Sequence, residues 1–203
     1  MREIKRINHV FRMTHIDNIP HIIQYGITHA NSQNSNPYYK TIGDSTLITN
    51  RINKTVLGIS LGDCIPFYFG PRSPMLYVIQ HGYNGVKQVK PEDIIYCVIN
   101  ISNITQMNFI FSDGHAFNSL TEFYPKERII DLNKLISYQD VYATNWVTDD
   151  TDLKRRKEAE CLFTHDILYE TITGFVVYNE AAKHRMINMG VVKPIHIAPN
   201  CYF

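Results

Sequence analysis

The apolar residues of this 203-residue chain come in short runs separated by turns and by unusually long polar loops. That spacing limits the fold first. No run approaches the roughly 18 residues of a membrane-spanning helix, and the length suits one domain at about 100–200 residues per domain. Several runs carry strand patterns. Residues 8–15 (Asn-His-Val-Phe-Arg-Met-Thr-His) alternate apolar and polar with β-branched and aromatic members. Residues 65–69 are aromatic and extended, and residues 93–101, 109–111, 172–178 and 195–198 read as further strands.

Helices are few and short. Asp17 as cap, Pro20 in the first turn and Gly26 as stop predict a helix at about 18–25. Met75 to Gln80 fits strand or helix, and Ser73 followed by Pro74 favours helix. A short helix is plausible over Thr46 to Ile52, another near Leu132 to Ile136 within the otherwise irregular stretch 123–150, and an amphipathic one over 180–189. Residues 30–45 are rich in Asn, Ser, Pro and Gly and read as a long loop, either a binding loop or disorder. Tyr38 and Tyr39 favour an ordered loop. The sum is a mixed α+β domain without repeats or low-complexity tracts.

Several chemistries are excluded. There is no phosphate-cradling Gly-x-x-x-x-Gly-Lys-Ser/Thr, no Gly-x-Gly-x-x-Gly after a strand and no Gly-x-Ser-x-Gly elbow. The nine histidines match neither His-Glu-x-x-His nor zinc-finger spacing, so no metal is implied. The four cysteines (Cys64, Cys97, Cys161, Cys201) lie far apart and read as free thiols of a reducing cytosol. The charged, interrupted residues 1–10 do not form a signal peptide. A net charge of +1 rules out a global basic field but leaves room for a local basic groove.

Polar residues at strand ends remain: Thr14, His15, Arg51, His115 and Glu160. Thr14 and His15 end a strand just before a helix, a pocket-rim position beside free backbone N–H groups. The densest stretch is Lys154-Arg155-Arg156-Lys157-Glu158-Ala159-Glu160-Cys161-Leu162-Phe163. Acidic residues 149, 150 and 152 followed by four cations fit a helix at about 150–158. Taken alone, this is a solvated helix end entering a buried strand. It also sets Glu160 at the mouth of that strand, where a carboxylate could hold a ribose hydroxyl or stabilise a cationic sugar.

Taken together, Phe11-Arg12-Met13-Thr14-His15-Ile16-Asp17-Asn18-Ile19-Pro20, Tyr25-Gly26-Ile27, Ile65-Pro66-Phe67-Tyr68-Phe69-Gly70-Pro71-Arg72-Ser73-Pro74-Met75-Leu76, Ser112-Asp113-Gly114 and Arg155-Arg156-Lys157-Glu158-Ala159-Glu160 resemble the DarT family. Its members are the DNA ADP-ribosyltransferase toxins of DarTG toxin–antitoxin systems. The resemblance spans almost the whole chain, in order. It implies an ADP-ribosyltransferase-like split mixed β core with short helices and long loops, formed as one domain over 1–203. It implies a bacterial, cytoplasmic enzyme of the pentosyltransferase class, moving ADP-ribose from NAD⁺ to a thymine base in single-stranded DNA within a short sequence context. NAD⁺ is then the co-substrate, no metal takes part, and the partners are single-stranded DNA and a macrodomain antitoxin that removes the modification.

The resemblance also assigns residues. Glu160 matches the family's catalytic glutamate, and Arg51 the arginine that handles the thymine ring proton. Met13, Thr14, His15, Asn18, Gly26, Arg51 and Tyr68 fall to the NAD⁺ site, with residues of about 30–52 as its binding element. The stretch of about 115–160 matches the loop region that carries substrate choice. Tyr39, Arg72, His115, Trp146, Arg155 and Arg156 are candidates for DNA contact, by stacking or by phosphate binding. His115 departs from the family pattern, which places Asn there.

The chemistry of the residues agrees in part. Breaking a nicotinamide–ribose bond develops oxocarbenium character, as in glycoside hydrolysis, and one carboxylate serves it. Arg is a poor base because its pKa is above about 12, so Arg51 better suits stabilising the anion that develops on thymine. The base must be unstacked to reach the pocket. The same donor site would serve an NAD⁺ glycohydrolase or a transferase acting on RNA or protein. A non-catalytic nucleic-acid-binding module is a third reading.

Overall fold

The computed structural model describes residues 5–203; the first four residues of the charged opening segment lie outside the described residues. Among the described residues there are ten strands: β1 (His9–His15), β2 (Thr55–Val56), β3 (Ile59–Ser60), β4 (Ile65–Tyr68), β5 (Ile94–Asn100), β6 (Phe109–Ser112), β7 (Phe123–Pro125), β8 (Glu160–Phe163), β9 (Gly174–Val177) and β10 (Ile195–Ile197). The α-helices are α1 (Ile19–Tyr25), α2 (Ser45–Arg51), α3 (Pro74–His81), α4 (Ile101–Ile104), α5 (Leu132–Leu135), α6 (Tyr138–Val141), α7 (Leu153–Lys157) and α8 (Glu180–Asn188). Eight strands form one sheet in the order β10-β9-β5-β1-β4-β8-β6-β7, and β2 and β3 form a separate hairpin. Among the described strands only β9 and β10 pair in parallel, joined across α8. The fold is mixed α+β, as the sequence pattern predicts.

Alternation along each strand separates two faces. One carries the main core, including Val10, Phe67, Ile95, Phe111, Cys161 and Phe175. The other carries two smaller apolar clusters. Phe11, Leu76, Ile79, Tyr96 and Tyr202 make the first, and Leu61, Ile110, Ala116 and Leu162 the second. Cross-strand partners share a face. Phe11 opposes Tyr68 and Tyr68 opposes Glu160, so these three form a row on this second face.

The sheet splits beside that row. β1 matches β5 over seven register pairs but meets β4 at the single pair Phe11–Tyr68. The cause lies in β4. Phe69 N–H donates to Ala159 on the β8 side, so the even residues Pro66 and Tyr68 turn their backbone groups towards β1. Pro66 has no N–H to give. Its carbonyl is met instead by the Arg12 guanidinium at 2.9 Å. Past this point Thr14 and His15 diverge from β4.

Most expected elements form within one or two residues of their predicted ends. Two differences matter. The stretch 123–150 is more ordered than its sequence suggests, with β7 paired to β6 and two single-turn helices. The helix expected over 150–158 shrinks to Leu153–Lys157, because Asp150 and Asp152 turn back to bind the arginines that follow.

Candidate active site

Glu160 opens β8 with no exposed surface. The strand is held there by Cys161 and Phe163 in the main core; burying a Phe is worth about 1.5–3 kcal/mol and helps offset the cost of a buried carboxylate. Every atom that could anchor Glu160 is engaged. Its N–H donates to Ser112 Oγ at 3.2 Å, Oε1 accepts from the Ala116 N–H at 2.8 Å and Oε2 accepts from Arg51 Nη2 at 2.9 Å. A carboxylate offers about four lone-pair directions, so acceptor capacity remains for a substrate hydroxyl.

Arg51 ends α2, whose start is capped by Asp44 accepting from the Thr46 and Leu47 N–H groups. Burial alone would lower its pKa, but the charge and hydrogen bond of Glu160 raise it overall. The arginine is therefore a fixed cation. Gly62 lets the end of α2 pack closely, since a Cβ there would lie 2.7 Å from the Ile52 Cα. Lys54 Nζ holds the Ala116 carbonyl at 2.7 Å and the Asn118 carbonyl at 3.3 Å, fastening the segment that presents the Ala116 N–H to Glu160. Tyr68 lies beside the pair, its pKa raised well above normal by burial and by Glu160 and Glu158. It stays a neutral phenol.

The residues assigned to a dinucleotide site divide in two. Thr14 and His15 end β1, nearly fully buried; Thr14 opposes Ile95 on the main-core face and His15 opposes Ile94 on the other, where Met13 packs on the Phe11–Tyr96 cluster. His15 Nδ1 accepts from the Asp17 N–H, and burial lowers its pKa. Asn18 and Gly26 serve the protein itself. The Asn18 side chain donates to Thr14 Oγ1 and the Lys40 carbonyl and accepts from the Lys40 N–H, at 3.0, 2.9 and 2.8 Å. It thus clips the 30–44 loop to the end of β1. Gly26 has φ +79°, and a Cβ there would lie 2.1 Å from the Ile167 carbonyl oxygen; its role is the close crossing of α1 over that chain segment. The loop is tied again where Asp166 accepts from the His29 N–H (2.7 Å) and Ser32 Oγ (2.5 Å).

A groove of about 910 Å³ is lined by His115, Glu158, Lys154 and the aromatic residues Trp146, Tyr77 and Tyr83. Tyr77, Trp146 and Phe203 meet edge to face at 5.0–5.9 Å between centroids, and Arg72 lies over the Phe203 ring at 4.4 Å. Tyr39 is exposed on the loop. Arg155 and Arg156 are placed differently from the expectation that they grip a phosphate backbone. Arg155, with 10% of its side chain exposed, binds Asp113 and Asp152. Arg156 binds Asp140, Asp150 and Asp152. With their charges spent on carboxylates, the two staple α7 to its surroundings just before Glu160. Gly114 packs so closely on Arg155 that a Cβ would meet its Nη1 at 2.5 Å.

Sequence reading misses Ser112, Ala116, Lys54, Lys154 and Glu158. The first two act through a hydroxyl or backbone N–H on residues of no distinctive type. Lys54 follows Arg51 by three positions, the one signal that it belongs here. Glu158, two residues before Glu160, is pushed up to about 8 by burial and then by Glu160's charge. Among the described residues no cluster of His, Cys, Asp and Glu could hold a metal, and no helix is long and apolar enough to cross a membrane.

Comparison with known proteins gives a consistent result. A family model described as "ssDNA thymidine ADP-ribosyltransferase, DarT" matches residues 11–203. A DNA ADP-ribosyl transferase of Escherichia coli O127:H6 is 29% identical over 96% of this chain and 93% of its own. A DNA ADP-ribosyl transferase–DNA ADP-ribosyl glycohydrolase fusion protein of Thermosipho africanus is 30% identical over 77% of this chain and 39% of its own. Among solved structures, Thermus sp. 2.9 DarT in complex with ADP-ribosylated ssDNA superposes with a TM-score of 0.86 at 24% identity, covering 100% of this chain and 99% of that one. The same protein in complex with NAD⁺ gives a TM-score of 0.79 at 22% identity, covering 98% and 99%.

Proposed function

The chain belongs to the DarT family of single-stranded-DNA thymidine ADP-ribosyltransferases, and on that premise we propose that Glu160, Arg51 and the parting of β1 and β4 are its catalytic centre. The observation that carries the assignment is the fully buried Glu160, fixed by Arg51 and the Ala116 N–H where the sheet splits. Those residues fit NAD⁺. A preset carboxylate suits a ribose hydroxyl and the positive charge that builds on the sugar as nicotinamide leaves. His15, opposite Ile94 on the face that carries Glu160, offers a polar side chain near that sugar, Thr14 supports it from the other face through its bond to Asn18, and the loop clipped by Asn18 and Asp166 covers the site.

NAD⁺ supplies the activated ADP-ribose; the remaining tasks belong to the protein. Glu160 holds the sugar and favours charge at the reacting carbon. Arg51 orients Glu160 and presents a permanent cation to the oxygens of the incoming thymine as negative charge develops there. The aromatic wall of Tyr77, Trp146 and Phe203 suits stacking of flanking bases. Lys154 and Arg72 suit phosphate contact, in place of Arg155 and Arg156. Recognition of a short sequence context falls to this groove.

The protein acts as a toxin within its own bacterial cytoplasm, countered by a macrodomain antitoxin. In support, one relative is a fusion of the transferase with a DNA ADP-ribosyl glycohydrolase. The test is mass spectrometry of a thymidine-containing single-stranded oligonucleotide after incubation with NAD⁺. A mass gain equal to ADP-ribose, lost when thymidines are replaced and lost in Glu160→Gln, is expected. Nicotinamide release without DNA product would point to a glycohydrolase or another acceptor.

A further inference from the structure

Two segments that border the groove are held with little packing of their own. None of the seven residues of α2 is fully buried, and Phe117 to Leu120 are exposed. Asp44 and Leu47, the cap and first turn of α2, line the groove, as do His115, Asn118 and Leu120 of the other segment. Each segment also reaches the centre. Arg51 ends α2, and Ala116 gives its N–H to Glu160. Segments with few buried contacts open at low free-energy cost. Whatever ties these two together therefore decides whether the groove and the centre are set at the same time.

Lys54 makes that tie. It lies three residues beyond α2. Its Nζ donates to the Ala116 carbonyl at 2.7 Å and the Asn118 carbonyl at 3.3 Å, 62 and 64 positions away in the chain. The rings of Phe117 and Phe123 lie 5.5 and 5.6 Å from it, within cation–π reach. Among the described residues no carboxylate pairs with Lys54, so its contacts hold chain and balance no charge. Ala116 is gripped on both sides, its carbonyl by Lys54 and its N–H by Glu160, and Glu160 returns to Arg51. Arg51, Glu160, Ala116 and Lys54 thus close a ring. It runs from α2 through the mouth of β8 and the 115–118 segment, then back to the chain just after α2.

We propose that Lys54 is a positioning residue that couples the NAD⁺ site to the DNA groove. This rests on the reading that NAD⁺ lies against Glu160 and single-stranded DNA lies in the groove. A ligand that orders α2 also orders residues 115–120 through Lys54. The second substrate then meets a segment already fixed and loses less freedom on binding. By linkage the same factor acts in both directions. Lys54 acts through the segments it joins.

The test is the affinity of a labelled thymidine oligonucleotide, read by fluorescence anisotropy with and without saturating carba-NAD⁺, a donor whose carbocyclic sugar cannot form an oxocarbenium centre. The wild type should bind DNA about tenfold more tightly with carba-NAD⁺ present, inside the usual range of such couplings. In Lys54→Met that ratio should fall below about twofold. The lost charge weakens DNA binding alike in both conditions, so the ratio isolates the coupling. A lysine that only supported the fold would leave the ratio at its wild-type value. A second measurement needs no variant. In hydrogen-exchange mass spectrometry of the wild type, carba-NAD⁺ alone should slow exchange of the 117–121 amides. Equal DNA affinity with and without carba-NAD⁺ in the wild type, unchanged exchange over 117–121, or a wild-type ratio in Lys54→Met would each overturn the proposal. A wild type that binds neither carba-NAD⁺ nor the oligonucleotide would bring down the reading of the site itself, and the coupling with it.

Discussion

At the scale of single residues, the centre depends on one buried ion pair. Glu160 is fully buried and Arg51 keeps 14% of its side chain exposed, so solvent can do little for a carboxylate left alone. Removing one partner of such a pair typically costs about 3–5 kcal/mol, because an uncompensated charge stays buried. Arg51→Ala should therefore destabilise the protein by roughly that amount, besides lowering transfer. The double variant Arg51→Ala/Glu160→Gln should recover a large part of the loss, since the orphan charge is gone, while remaining inactive. Urea unfolding of the four proteins gives the coupling energy directly. Equal stabilities for the Arg51→Ala single and double variants would mean that water enters the site and hydrates Glu160. The separation of stability from activity is informative here, because the proposed centre gives Arg51 a part in both.

At the scale of elements, much of the molecule is readable in advance and the exceptions have physical causes. β1, β4, β5, β8 and β9 carry alternating or continuous apolar runs, α3 and α8 carry side-chain caps, and α1 has Pro20 in its first turn and Gly26 at its end although the expected Asp17 cap is not made, so local patterns suffice for them. Glu160 stands out in the sequence because a carboxylate at a strand mouth is distinctive, whereas Arg51 is singled out by family resemblance, which also supplies the role expected of each. What local pattern cannot show is partnership at a distance. Asn18 has the look of a ligand-binding residue, yet its amide is spent on Thr14 and on both backbone groups of Lys40, 22 positions away. Arg155 and Arg156 look like a phosphate grip until the fold brings Asp113 and Asp140 to them. The three-residue strand β7 is defined by its pairing to β6 and has no strong pattern of its own. The Asn18 clip also carries an element-scale prediction. Asn18→Leu keeps much of the volume but leaves the Lys40 N–H and carbonyl unmet, so the 30–44 loop should loosen. The KM for NAD⁺ should rise about tenfold, matching roughly 1.4 kcal/mol of lost ordering, with a much smaller change in kcat. Proteolysis within 30–44 should accelerate in parallel. A kcat loss without a KM change would place Asn18 in the chemistry instead.

At the scale of the whole molecule, electrostatics decide how DNA is held. The chain has 20 Lys and Arg against 19 Asp and Glu, and several of its arginines are closed into ion pairs with aspartates. Of the two cations that line the groove, Arg155 is closed into ion pairs and Lys154 is not, whereas the groove offers a wall of three interlocked aromatic rings. Affinity should thus come more from stacking than from counterion release. Each neutralised phosphate of a single strand contributes about −0.7 to the slope of log K against log salt. With Lys154 and Arg72 as the available cations, the slope should lie near −1.4 and not at the steep values of a basic coat protein. Lys154→Gln should flatten it by about 0.7 with a moderate loss of affinity. Trp146→Ala should weaken binding by about 1–3 kcal/mol, the usual worth of a base–aromatic stack, and leave the slope unchanged. Fluorescence anisotropy of a labelled thymidine oligonucleotide across a salt series measures both quantities at once. A slope steeper than about −3 would require four or more phosphate contacts. The ion pairs of Arg155 and Arg156 would then have to open when DNA binds, making the staple before Glu160 a conformational link between the strand being read and the centre that modifies it.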